Sequence, residues 1–224
     1  VQPGLQRGRV GDLHLGLGGA GVELLDRLGL SDFPAPAYEA VPLKRYLIGS
    51  LQFSSGCPYR CEFCDIPQLY GRQPRLKSPE QMLGELDAII AQPGHPAVVY
   101  FVDDNFIGNR KATKDMLPHL VAWQKRNDYP LQFACEATLN MAKQPEILEL
   151  MRQANFMTVF VGIETPEAEA LKGIDKTHNA AVPMYEAIET LNAYGLEVTS
   201  GIILGLDTDT DRSEQNLIDF IDKS

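Results

Sequence analysis

The chain has 224 residues, 44% hydrophobic and 22% charged, with 20 Lys and Arg against 30 Asp and Glu. That is enough apolar sequence to bury a core without disulfide staples, and too much for a disordered chain. A net charge of −10 excludes sequence-independent nucleic-acid binding, which needs a basic face. No run approaches the ~18 apolar residues that would span a membrane, and the first residues lack the apolar core of a signal peptide. A cytoplasmic, reducing location is the expectation. The chain opens on Val1 rather than Met and stops at Ser224 within a predicted helix, so a fragment is expected, with its core truncated at the C-terminus.

Residues 1–46 are rich in Gly and Pro. One short helix is expected over 21–28, followed by the Pro-punctuated Phe33-Pro34-Ala35-Pro36. Gly16-Leu17-Gly18-Gly19-Ala20-Gly21 matches G-x-G-x-x-G formally, but the prolines leave no room for the second strand and acid of a dinucleotide site. This segment reads as a lead-in or linker, or as the tail of a missing N-terminal domain.

From residue 47 onward, short Val-, Ile-, Leu- and Phe-rich runs alternate with helical periods. Strands are expected over 47–54, 97–102, 131–136, 156–162 and 197–206, each covered on both faces. Ser78-Pro79-Glu80-Gln81 is a capping box opening one helix, and Thr165-Pro166-Glu167 is expected to start another the same way. Gly195 is placed to end a helix running from Pro183, and further helices are expected over 111–125, 145–153 and 212–221. Consecutive βα units imply parallel strands with right-handed crossovers, hence an α/β fold: a partial (β/α) barrel of five or six units spanning 47–224. Its active site should lie at the C-terminal ends of the strands.

Polar groups collect on that rim. The first strand leads into a cysteine-bearing loop, the second into Asp103-Asp104-Asn105, the third ends on Glu136 and the fourth on Glu164. The fifth carries Gly201 and Gly205. Asp103 and Asp104 could instead cap the next helix; for Glu136 the next helix begins too late.

Cys57, Cys61 and Cys64 are spaced C-x3-C-x2-C in the first strand-to-helix loop. A structural zinc site wants a fourth ligand, and His14, His95, His119 and His178 are scattered. A disulfide would leave one thiol unpaired. Three thiolates on a [4Fe-4S] cluster leave one iron open, as substrate binding to iron requires.

The run Gly56-Cys57-Pro58-Tyr59-Arg60-Cys61-Glu62-Phe63-Cys64 resembles the signature of radical S-adenosylmethionine (SAM) enzymes, including the aromatic residue before the last Cys. The resemblance spans residues 47–224. Cys64-Asp65-Ile66, Leu69-Tyr70-Gly71-Arg72, the stretch from Val102 to Asn109 and Gly162-Ile163-Glu164-Thr165-Pro166 are most similar to the branch that often carries a cobalamin-binding domain. Within that branch they resemble the hopanoid C-2 methylases.

The resemblance implies that Cys57, Cys61 and Cys64 hold a [4Fe-4S] cluster and that Phe63 lies against the adenine of SAM. Asp103, Asp104 and Asn105 stand where many relatives have Gly-Gly-Glu, which receives the methionyl ammonium. Glu136 and Glu164 would meet the ribose hydroxyls or the amino-acid moiety. Gly201 and Gly205 match a strand that lines the adenine, although Thr208 replaces that motif's final Glu. A cationic cofactor suits a rim bearing Asp103, Asp104, Glu136 and Glu164. The implied function is reductive SAM cleavage to a 5′-deoxyadenosyl radical, with cobalamin-dependent C-methylation of a lipid-like, hopanoid-type substrate and ferredoxin or flavodoxin as reductant. The alternatives are a tailoring enzyme without cobalamin, since the segment ahead of Cys57 is too short for a cobalamin domain, and a non-catalytic iron-sulfur or zinc module. Cys135 is expected to be a buried thiol and Trp123 a packing residue. Arg72, Arg75 and Lys77 fit either an anion contact or a solvated loop. His178 has no evident partner.

Overall fold

The computed structural model describes residues 28–180 and 182–224. The glycine run 16–21 and nearly all of the helix expected over 21–28 lie outside the described residues. Three short 3-10 turns, Leu30–Asp32, Tyr38–Ala40 and Leu43–Arg45, lead to the sheet. The Tyr38 hydroxyl donates to Ser50 O (3.0 Å) and ties this lead-in down.

Strand β1 (Ile48–Leu51) runs into the two-residue β2 (Ser54–Ser55). After the short helix α1 (Ile66–Leu69), β3 (Arg75–Leu76) returns antiparallel to β2. The chain then alternates through α2 (Pro79–Ile90), β4 (Val98–Phe101), α3 (Arg110–Arg126), β5 (Gln132–Ala137), α4 (Pro145–Gln153) and β6 (Phe156–Glu164). Short helices α5 (Ala168–Gly173) and α6 (Thr177–Ala180) precede α7 (Met184–Ala193), β7 (Glu197–Ile202) and α8 (Ser213–Lys223). The main sheet has the order β1-β4-β5-β6-β7, every pair parallel. Strands in chain order joined by helical crossovers curl into the expected partial barrel.

Side-chain alternation decides what faces what. In register, Phe101 pairs with Cys135 and Cys135 with Val159, and all three are fully buried against the helices. The adjoining row, Glu136 with Phe160 and Thr199, points to the open concave face and is exposed. Coverage on both faces therefore fails along that face and at the sheet edges. Beneath the sheet, ring pairs among Phe101, Phe106, Phe133 and Phe156 lie 5.1 to 5.4 Å apart, a geometry that aromatic pairs favour. Trp123 packs in the same core, its Nε1 donating to Asp87 Oδ1 (2.7 Å).

The capping box at α2 forms: Gln81 N donates to Ser78 Oγ, and Ser78 N to Gln81 Oε1. Two strands stop earlier than their apolar runs. After β1, Phe53 and Ser54 give their N–H groups to the Asp103 carboxylate instead of a neighbouring strand. After β7, the N–H groups of Gly205 and Leu206 turn onto Asp209 Oδ2. The Thr165 hydroxyl accepts from Glu167 N, and α5 starts only at Ala168 without a side-chain cap. Among the described residues no helix is long and apolar enough to cross a membrane.

Candidate functional site

The cysteine loop leaves β2 through Gly56, whose φ of 111° is open to glycine and strained for other residues. A Cβ there would also sit 2.8 Å from Gly71 O. Every side of the loop is tied. Gly56 N donates to Asp104 Oδ2 (2.6 Å), Cys57 N to Gly71 O (3.1 Å), and Glu62 N to Ile174 O (3.0 Å). The Arg72 guanidinium donates to Pro58 O, and Asn140 Nδ2 to the Tyr59 hydroxyl (2.5 Å).

Cys57, Cys61 and Cys64 are all free and partly exposed on this loop, while Cys135 is buried. Burial pushes the Cys57 and Cys61 thiols up, and the charges of neighbouring cysteines add to that; the Lys176 ammonium opposes it at Cys61. Among the described residues no trio of His, Cys, Asp or Glu converges on a single metal ion. The donor set is thus three free thiols of one loop, beside a cavity of about 670 Å³ that Cys61 and Cys64 help line. This chemistry fits a multi-iron cluster held by three thiolates.

The structure divides the rim acids into different roles. Asp103 is buried, and both its oxygens are engaged: Oδ1 accepts from Phe53 N (2.8 Å), Oδ2 from Ser54 N (2.7 Å) and Ser54 Oγ (2.6 Å). It braces the base of the loop instead of facing the mouth. Asp104, half-buried, holds Gly56. Neither caps α3, whose first turn is capped by Asn109 through Ala112 N (3.1 Å). Asn105 is buried with Nδ2 against Thr138 Oγ1 (3.4 Å) and Cys57 Sγ (3.9 Å), while its Oδ1 has no partner among the described residues. Glu136 stands on the concave face, accepting from the Tyr100 hydroxyl (3.4 Å); although the residue is exposed, partial desolvation of its carboxyl, helped by the Asp104 charge, pushes it up.

Glu164 is buried and paired with Lys176 Nζ at 2.5 Å, so its charge is neutralised within the fold. The same Nζ lies 5.5 Å from the ring centroid of Phe63. A Cβ on Gly162 would overlap Glu164 Oε1 and come within 2.6 Å of Lys176 Nζ, so only glycine leaves room for the pair. Gly201 sits where a Cβ would touch the Phe160 ring at 3.2 Å, and Gly205 lies past the end of β7. Of the three basic residues after the loop, Arg72 holds Pro58, Arg75 bonds Ser55, and Lys77 pairs with buried Glu85 (2.6 Å).

Sequence reasoning missed Lys176, Tyr59, Thr138 and Asn140, which have no spacing signal. It also missed the partner of His178, whose ring stacks on Tyr59 (centroids 3.7 Å apart, 18° between planes).

A three-thiol loop leaving β2 beside a five-stranded parallel sheet fits the iron-sulfur proteins as a class. Residues 51–221 match the radical SAM superfamily, and the chain belongs to it. It is 63% identical over 199 residues to the hopanoid C-2 methylase of Rhodopseudomonas palustris, covering 89% of this chain and 38% of that protein. It is 39% identical to an uncharacterised methyltransferase of Synechocystis, over 85% of this chain and 35% of the relative. The chain therefore spans little more than a third of either relative's length. Among solved structures it resembles the radical SAM methyltransferase TsrM of Kitasatospora setae, with cobalamin and a [4Fe-4S] cluster bound. That match has a TM-score of 0.69 and 20% identity, over 81% of this chain and 36% of that one.

Proposed function

We propose that this chain is the core of a radical SAM methyltransferase that methylates a carbon of a lipid-like, hopanoid-type substrate with the help of cobalamin. Cys57, Cys61 and Cys64 would hold the [4Fe-4S] cluster, and the observation that carries the reading is their placement on one braced loop beside the barrel mouth. When bound, the cofactors supply a one-electron cleavage of SAM to methionine and a 5′-deoxyadenosyl radical, and a methyl group from methylcobalamin.

The protein's part is to hold, orient and keep out water. Asp104 fixes the turn at Gly56, which aims the loop. The unpartnered Asn105 Oδ1 is a buried acceptor suited to the methionyl ammonium, since an orphaned carbonyl gains most from a charged donor. Glu136, next to Tyr100 on the concave face, suits a ribose hydroxyl pair. Phe63 is half exposed and available to an adenine, with Phe160 and Gly201 offering an apolar wall along the sheet. Asp103 and Glu164 act from below, by shaping the loop and its support. A cavity of about 730 Å³ beside Asp104 is lined by exposed Leu28, Phe33, Leu69, Tyr70 and Val102, which suits a hydrocarbon. Electrons would come from ferredoxin or flavodoxin in the cytoplasm.

The test is SAM cleavage by anaerobically reconstituted protein under dithionite. Release of 5′-deoxyadenosine, abolished in Cys61→Ala, supports the reading; cleavage retained in Cys61→Ala overturns the ligand assignment.

A further inference from the structure

The cysteine loop is gripped from the far side by a segment that brings no ligand of its own. Between β6 and α7, residues 174–178 run back along the loop and touch it at three successive places. Ile174 O accepts from Glu62 N, Lys176 Nζ sits over Phe63, and His178 stacks on Tyr59. Tyr59, Glu62 and Phe63 interleave with the three cysteines, so every thiol lies within two residues of an attachment.

The segment is itself locked to the sheet. Lys176 is paired with buried Glu164, and Asn179 Nδ2 donates to Gly162 O (2.7 Å). Glu164 (φ 65°) and Asp175 (φ 57°) both hold left-handed backbone without being glycine. Such residues persist where their surroundings over-determine them. From the opposite side Asn140 fixes the Tyr59 hydroxyl, so that ring is held at its edge and its face at once.

We propose that residues 174–178 are a brace that sets the cysteine loop in its ligating shape before iron arrives, with Lys176 and His178 as positioning residues that touch no metal. The purpose of the brace rests on the cluster reading above; its geometry does not. A ligand loop without regular structure must otherwise be ordered at the moment of binding, and pre-ordering removes that cost from cluster assembly.

The experiment follows amide exchange across residues 57–64 in full-length, iron-free protein, with the Glu62 amide as reporter, and then the rate at which a chelator strips iron after reconstitution. An aromatic stack contributes up to about a factor of ten to a local opening equilibrium. His178→Ala should therefore speed loop exchange and iron loss by about tenfold, while His178→Phe, which keeps a ring, stays within about twofold of wild type. The double variant Glu164→Gln/Lys176→Met leaves no lone buried charge and should also speed loop exchange. Unchanged exchange of the sheet amides shows that these variants fold. Loop exchange at wild-type rates in both His178→Ala and the double variant would overturn the brace, as would His178→Phe behaving like His178→Ala. Loop exchange responding as expected in a protein that never takes up iron would instead sink the cluster reading and leave the brace standing.

Discussion

Replacing Asp103 by Asn keeps the side chain's size but gives it one oxygen where the carboxylate has two. Oδ1 takes one backbone N–H, and Oδ2 takes a second together with the Ser54 hydroxyl. Whichever way the amide turns, its NH2 faces a backbone N–H in a site that is 1% exposed. One hydrogen bond to a charged group is lost (about 1.5–3 kcal/mol) and a buried donor is orphaned (about 1–3 kcal/mol). Relaxation returns part of this, and the neutral amide escapes the desolvation cost that the ionised carboxylate carries, leaving an expected loss of roughly 1–3 kcal/mol, or about 3–10 °C in Tm for a domain of this size. The assay is urea and thermal unfolding of the iron-free protein at pH 8. Burial pushes the Asp103 carboxyl up from 3.8 to about 7. Between those values the folded state keeps a proton that the unfolded chain has released, so this group's contribution to stability falls as pH rises through the window. The slope is at most about 1.4 kcal/mol per pH unit, and Asp103→Asn should lack it. Asp103→Asn within about 0.5 kcal/mol of wild type, at every pH, would refute the bracing role.

Three further outcomes follow from the same geometry. Gly162→Ala forces a methyl group into the Glu164–Lys176 pair and should cost about 1–3 kcal/mol by overpacking, read by urea denaturation; unaltered stability would show that the pair gives way freely. Burial, aided by the Lys176 charge, pushes His178 down from 6.5 to about 4, so its contribution to stability is complete above about pH 6.5 and is lost as pH falls towards 4. Because the ring is partly exposed, the effect should be about 1 kcal/mol, and an identical pH profile for His178→Phe would contradict it. Glu136→Ala should weaken SAM binding to reconstituted protein about tenfold by calorimetry and leave iron content alone; an unchanged Kd would remove Glu136 from the site.

The parallel order of the sheet was legible because each strand is a short apolar run followed by a helix with a readable start, as at Ser78. That Cys57, Cys61 and Cys64 share one loop was legible because one short stretch carries all their spacing. What the acids do was not. Position on a strand end says that Asp103, Asp104 and Glu164 are near the mouth, but not which has its oxygens already taken. That depends on Ser54, on Gly56 and on Lys176, residues distant in the chain or unremarkable within it. The early end of β1 has the same origin, since its last N–H groups are claimed by a carboxylate on the loop after β4. His178 was unreadable because an aromatic stack leaves no periodic trace.

The most direct measurement of the central claim is the metal content of protein reconstituted anaerobically with iron and sulfide. Wild type should hold about four iron and four sulfide per chain, as [4Fe-4S] ligation requires, and Cys61→Ala should hold almost none. One zinc per chain, or the same iron content in both proteins, would contradict it.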